Sequence, residues 1–131
     1  MGVPSECGVE VSHGAAKQAV SVLRKFARAW TVNCALDEDT AEDVVLAVDE
    51  AVTNVVEHAY PREVGVVRLQ LVQWECGELL VAVEDEGTWL PPSDPGYRGR
   101  GLLLIGRLAD QSRVTPTEGG TTVQMRWMAR P

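Results

Sequence analysis

The chain is poor in the residue types that build metal centres, disulfide frameworks and nucleic-acid grips. Among 131 residues it has three cysteines (Cys7, Cys34 and Cys76) and two histidines (His13 and His58). The cysteines are odd in number and widely spaced, with no Cys-x-x-Cys pair. That spacing speaks against a structural zinc site and leaves three free thiols as the plain reading. Bases are also scarce. Twelve Lys and Arg stand against 19 Asp and Glu, a net charge of −7, with no basic stripe. Direct nucleic-acid binding is therefore not expected. No apolar run exceeds six residues, far short of the roughly 20 that span a bilayer. The opening MGVPSECGVEVSHG lacks a basic start followed by an apolar stretch. No signal peptide is expected, and the expectation is a cytoplasmic protein without a membrane anchor.

What is present is ordinary for a soluble domain: 45 % apolar and 24 % charged residues. The length fits one domain over 1–131 that needs no covalent staple. The charge is uneven. Residues 37–50 hold seven acids and no base, whereas 97–107 hold Arg98, Arg100 and Arg107 and no acid. A base-rich, glycine-rich segment in an acidic protein suggests a small anionic ligand such as a phosphate chain.

The spacing of Ala16, Val20, Leu23, Ala27 and Trp30 predicts a helix over 14–32, with Ser12 as a candidate N-cap. A second helix starts at a cap on Asp37 or Asp39 and runs to about Ala59, before Pro61. Strands follow at about 64–74 and 79–84, joined at Cys76-Gly77-Glu78. Residues 86–100 contain three prolines and three glycines and read as a long functional loop. A short helix over 101–110 and strands at about 112–116 and 120–128 complete the chain, and Val9–Val11 can add an edge strand. The fold class is α+β: one sheet with helices on one face.

Four constellations could carry chemistry. On the long helix Glu50, Asn54 and His58 recur every four residues along the border of a valine-rich stripe, so they point the same way. There Asn54 can offer an oxygen to a hard cation, and Glu50 can act as a base or orient a water. At the end of a strand, Asp85 can accept from an exocyclic amine, and Gly87 lets a flat ring approach the backbone. Gly96-Tyr97-Arg98-Gly99-Arg100-Gly101-Leu102 places glycines at a helix start, a site that favours an anion. It fits neither the dinucleotide nor the P-loop pattern. Finally, Gly119-Gly120 makes a hairpin turn. Thr121 then shares the inward parity of Val123 and Met125 and needs a partner for its hydroxyl. Taken singly, each has a plain structural reading: a solvated helix edge, a polar turn, a capped loop, a satisfied threonine.

Taken together and in order, they resemble the GHKL ATPase superfamily, in its small stand-alone branch of bacterial anti-sigma factor serine/threonine kinases. LAVDEAVTNVVEHAY (46–60) is similar to the asparagine box, VEDEG (83–87) to the Asp-x-Gly box, GRGLLLIGRLAD (99–110) to the second glycine box, and GGTTVQMRW (119–127) to the closing strand. The match covers roughly residues 9–128.

The resemblance implies a Bergerat-type two-layer fold with one mixed, mostly antiparallel sheet, binding ATP and Mg²⁺ under a lid at about 88–100. Carried over, Glu50 is the general base and Asn54 holds Mg²⁺ against the phosphates. Asp85 accepts from the adenine amino group, with Thr121 assisting through water, and Gly87 lies under the ring. Gly99, Arg100, Gly101 and Leu102 surround the phosphates, although Arg100 and His58 have less definite roles. Departing from the family, Thr88-Trp89-Leu90-Pro91 stands where an aromatic and a proline are common. The implied partners are a sigma factor and an anti-anti-sigma (STAS-type) protein, and the implied state is a homodimer. Two alternatives stay open: a non-enzymatic ATP-binding module that only sequesters its partner, and a histidine-kinase-like catalytic domain. The second would need a substrate helix pair for which 131 residues leave no space.

Overall fold

The computed structural model describes residues 8–60, 65–87, 104–117 and 119–128. The elements are β1 (Val9–Gly14), α1 (Lys17–Asn33), α2 (Glu38–Asn54) and a π-helical turn (Val55–Ala59). Then follow β2 (Val66–Gln73), β3 (Leu79–Asp85), a short α3 over 104–108, β4 (Gln111–Thr117) and β5 (Gly120–Trp127). The five strands form one sheet in the order β1-β2-β3-β5-β4. Every neighbouring pair is antiparallel.

Period-two patterning decides which face of the sheet is covered. Val67, Leu69 and Leu71 of β2 are fully buried, as are Val81 of β3 and Met125 of β5, with Val83 and Trp127 almost so. They meet the helical layer through Ala19, Leu23 and Ala27 of α1 and Val44, Ala47, Val48, Ala51 and Val52 of α2. The opposite face is mostly polar, with Val72, Leu80 and Ala82 interspersed. Arg68 lies between Glu10 and Glu84, with closest approaches of 3.5 and 3.4 Å, and Arg126 reaches Glu78 at 3.0 Å. Such exposed pairs contribute little stability and chiefly keep that face wet.

The α+β two-layer architecture expected from the sequence is present, and three details differ. First, Ser12 caps no helix. It lies in β1 opposite Arg68, because the alternation of 9–14 pairs with β2 through Gly14. α1 therefore starts later, at Lys17, with Ala16 as an N-cap that makes no side-chain bond. Second, among the described residues every strand pair is antiparallel, with β2–β3 and β4–β5 each adjacent in sequence and in the sheet. Third, the long helix changes character. It is α-helical to Asn54 and π-helical from Val55 to Ala59. π-turns of this kind recur at functional sites.

The start of α2 is set as expected. Asp37 accepts the backbone N–H of Thr40 at 3.0 Å, with Glu38 and Asp39 in the first turn, where carboxylates suit the helix dipole. Removing this cap should loosen the helix that carries Glu50 and Asn54. Asp37→Ala is expected to lower unfolding stability by about 1 kcal/mol in urea titration. An unchanged midpoint would show that the cap is not what holds the helix start.

Candidate functional site

The π-turn that follows α2, the end of β3 and the start of β5 come together at one end of the inner strands. Asp85 is the last residue of β3 and pairs with Thr121 of β5. Among the described residues the buried polar side chains are Thr31, Thr40, Asp85 and Thr121. Asp85 is thus the one carboxylate of that set, at 7 % exposure, and a second buried polar residue stands directly across the ladder. Apolar surroundings disfavour a carboxyl group without partners. Part of that cost is met locally, because Asp85 Oδ1 accepts the N–H of Gly87 at 3.0 Å.

Two glycines let backbone close in around this carboxylate. A Cβ on Gly87 would overlap the carbonyl oxygen of Ala59, at the end of the π-turn. A Cβ on Gly120 would overlap the carbonyl oxygen of Asp85, and its φ of 152° suits only glycine. The helix end therefore sits against the 85–87 turn on one side and the start of β5 against it on the other. Tyr60 ties the same corner: its hydroxyl accepts the N–H of Glu86 at 2.8 Å and donates to the carbonyl of Val66 at 2.6 Å.

Asn54 stands at the last position of the α-helical run, one π-turn before Ala59. Glu50 lies one α-turn further back, and both side chains are half-buried. Burial raises the Glu50 carboxyl above its ordinary value, with smaller contributions from the neighbouring charges of Asp49 and Glu57. Asp49 is itself engaged: Arg24 of α1 reaches it at 3.2 Å, and Thr53 donates to it at 3.4 Å. His58 was expected to stack in line with Asn54. It instead lies inside the π-turn, where the wider coil shifts the four-residue alignment, and its Nε2 is 3.9 Å from Glu57.

Asp85, Gly87 and Thr121 are thus gathered at one corner, next to the helix end that bears Asn54 and Glu50. Gly99, Arg100, Gly101 and Leu102, and the lid at 88–100, lie outside the described residues. Sequence reasoning missed Tyr60, Gly120 as a contact to Asp85, and the π-turn. An aromatic just before Pro61 and the doubled glycine before Thr121 were the available signals.

Hollows elsewhere have different chemistry. A cleft of about 190 Å³ on the other side of the corner is walled by Val66, Arg68, Glu84, Asp85 and Glu86. That is smaller than the roughly 300–1,000 Å³ of ordinary ligand sites, and Asn54, Gly87 and Thr121 are not among its walls. Larger grooves lie along the carboxylates of the first turn of α2, about 600 Å³, and beside Arg113 and Arg126, about 520 Å³. Neither includes a residue of the corner. Among the described residues no three His, Cys, Asp or Glu side chains form a metal cage. A cation here would depend on oxygens that its ligand brings, and the uncharged carboxamide of Asn54 suits that arrangement.

The raised Glu50 pKa has a measurable consequence. A carboxyl group whose pKa is higher folded than unfolded favours the fold only while protonated. Its contribution is present below the ordinary value of 4.5 and is lost as pH rises through the folded value. Glu50→Gln is therefore expected to melt at a higher temperature than wild type at pH 7, with the gap closing below about pH 4.5. A gap independent of pH would contradict this.

Comparison with known proteins places the chain. The family described as "Histidine kinase-like ATPase domain" matches residues 14–127. Relatives named serine-protein kinase RsbW, from Bacillus thuringiensis (strain Al Hakam) and Bacillus mycoides (strain KBAB4), are each 25 % identical over 93 % of this chain and 86 % of their own. Among solved structures, the RsbU and RsbW domains of Rv1364c from Mycobacterium tuberculosis align with a TM-score of 0.76 and 26 % identity. That alignment covers 95 % of this chain and 33 % of the other, so this chain spans about a third of that solved chain's length. The histidine kinase domain of a blue-light activated kinase from Erythrobacter litoralis aligns at 0.60 and 25 % identity, over 83 % of this chain and 60 % of that one. With the family match running through α1, α2 and all but the first strand, the chain belongs to the histidine kinase-like ATPase domain family.

Proposed function

We propose that this protein binds ATP with Mg²⁺ and acts as a serine/threonine protein kinase and anti-sigma factor. The observation that carries the reading is the buried Asp85–Thr121 pair, backed by Gly87 against the end of the helix that bears Asn54 and Glu50. Asp85 has the acceptor chemistry to take a hydrogen bond from the adenine amino group, with Thr121 beside it. Gly87 lets the end of the π-turn close against the 85–87 turn, and on this reading the flat base lies beside that turn. Asn54 offers a hard oxygen, and Mg²⁺ held there would offset charge on the phosphates. By the family resemblance, Gly99, Arg100, Gly101 and Leu102 would complete the phosphate side, with 88–100 as the lid segment.

In the transfer, a serine hydroxyl oxygen of a small STAS-type antagonist bonds to the γ-phosphorus. The bond to the β–γ bridging oxygen breaks, and ADP leaves. Glu50 takes the hydroxyl proton. Its half-buried position and raised pKa suit a group that must hold a proton during the step. Positioning and electrostatics supply most of the acceleration in such reactions. Unphosphorylated antagonist would compete with a sigma factor for this protein, and phosphorylation would release the antagonist. The names of the Bacillus relatives support the kinase part of this reading. A cytoplasmic homodimer belongs to the same reading.

A second reading, a histidine-kinase-like catalytic domain, is favoured by the likeness to the Erythrobacter kinase domain. Labelled-ATP transfer separates the readings. Phosphoserine on a STAS-type antagonist supports the first and acid-labile phosphohistidine the second. Bound ATP with no phosphoprotein at all leaves a module that only sequesters its partner.

Two variants test the residue roles. Glu50→Ala is expected to lower transfer by at least about a hundredfold while ATP still binds, the usual scale for loss of a general base. Asp85→Asn is expected to weaken ATP binding at least about tenfold, because a carboxamide presents an N–H where the amine needs an acceptor. Equal transfer by Glu50→Ala and wild type would remove Glu50 as the base.

A further inference from the structure

Tyr60 occupies an unusual position in the β2–β3 ladder. The register between these strands ends at Val67↔Asp85. The next rung would join Val66 to Glu86 directly. In its place the Tyr60 hydroxyl is inserted, accepting the N–H of Glu86 at 2.8 Å and donating to the carbonyl of Val66 at 2.6 Å. One side chain at the end of the π-turn thus splays β3 away from β2 where the chain leaves the sheet. Its ring is held in turn by Gly65, where a Cβ would overlap the ring carbons.

The N–H groups of Glu86 and Gly87 are thus held, one from outside the turn and one by the turn itself. The N–H of Glu86 goes to Tyr60, and the N–H of Gly87 goes to Asp85 Oδ1 at 3.0 Å. The Cα of Gly87 packs against the carbonyl of Ala59. With Oδ1 engaged by Gly87, the direction of Oδ2 follows from how the turn is held. The hydroxyl of Tyr60 is the link that couples that direction to the helix end.

We infer that Tyr60 is a positioning residue for base recognition: its hydroxyl holds the 85–87 turn so that the Asp85 carboxylate meets the exocyclic amine of adenine. This rests on the reading of Asp85 as the adenine acceptor and goes beyond it by assigning selectivity to a residue that need not touch the nucleotide.

The test compares ATP with purine riboside triphosphate, which lacks only the 6-amino group, by calorimetric titration of the full chain with Mg²⁺. Wild type should prefer ATP. Tyr60→Phe keeps the ring over Gly65 and removes both hydrogen bonds. It should lower the ATP preference about five- to tenfold while leaving purine riboside triphosphate within about twofold of wild type. Gly65→Ala, which displaces the ring, should do the same. In an Asp85→Asn background, Tyr60→Phe should change the ratio no further, since two residues acting through one contact are not additive.

A purely structural role for Tyr60 would weaken both nucleotides alike and would overturn the proposal. If wild type discriminates and Tyr60→Phe discriminates equally, the Tyr60 role alone falls. If wild type binds both nucleotides alike, the adenine reading of Asp85 falls first and takes the proposal with it.

Discussion

A carboxylate withdrawn from water at the end of a strand is the constraint around which this corner is built. Asp85 is 7 % exposed, and its pairing position across the sheet is taken by another buried polar residue, Thr121. Isolated burial of such a group costs on the order of several kcal/mol. The structure lowers that cost by an N–H from its own turn, and two glycines let the backbone close around the corner: Gly87 under Ala59 and Gly120 against the carbonyl of Asp85. On the proposed reading, the aspartate at 85 both holds its own turn and recognises the ligand.

The helical layer is matched to that demand. α2 meets the sheet through Val44, Ala47, Val48, Ala51 and Val52, side chains short enough to bring the helix backbone close. Close packing leaves the flanking Glu50 and Asn54 half-buried on a rigid element, which favours defined geometry over reach. The helix then loosens into a π-turn over Val55–Ala59, which delivers the Ala59 carbonyl to Gly87 and the Tyr60 hydroxyl to the gap between β2 and β3. Glu50 lies further along the same helix, beside an Asp49 already engaged by Arg24 and Thr53. Base recognition and phosphoryl chemistry, on the proposed reading, therefore share one mechanical support.

Much of this was legible from residue patterns. The alternation of Val67, Leu69 and Leu71 assigned β2 and its inner face, and Asp37 was among the expected caps of α2. The family resemblance implied a shared site for Asp85, Gly87 and Thr121, and the three stand together in the structure. Other features depend on tertiary contact. Ser12 reads as a helix cap locally, yet strand pairing with Arg68 prevails. The π-turn leaves no periodic signature over five residues, because it is set by where Ala59 must meet Gly87. Tyr60 reads as the end of a helix. Its role arises because the chain returns through Val66 and Glu86 to the same point.

The most direct test of the central claim is a structure of the chain with Mg²⁺ and a non-hydrolysable ATP analogue. The adenine amino group should lie within hydrogen-bond distance, about 2.7–3.2 Å, of the Asp85 carboxylate, with the ring over Gly87 and the phosphates toward Asn54. An analogue bound in the Arg113–Arg126 groove or elsewhere, with Asp85 untouched, would contradict it.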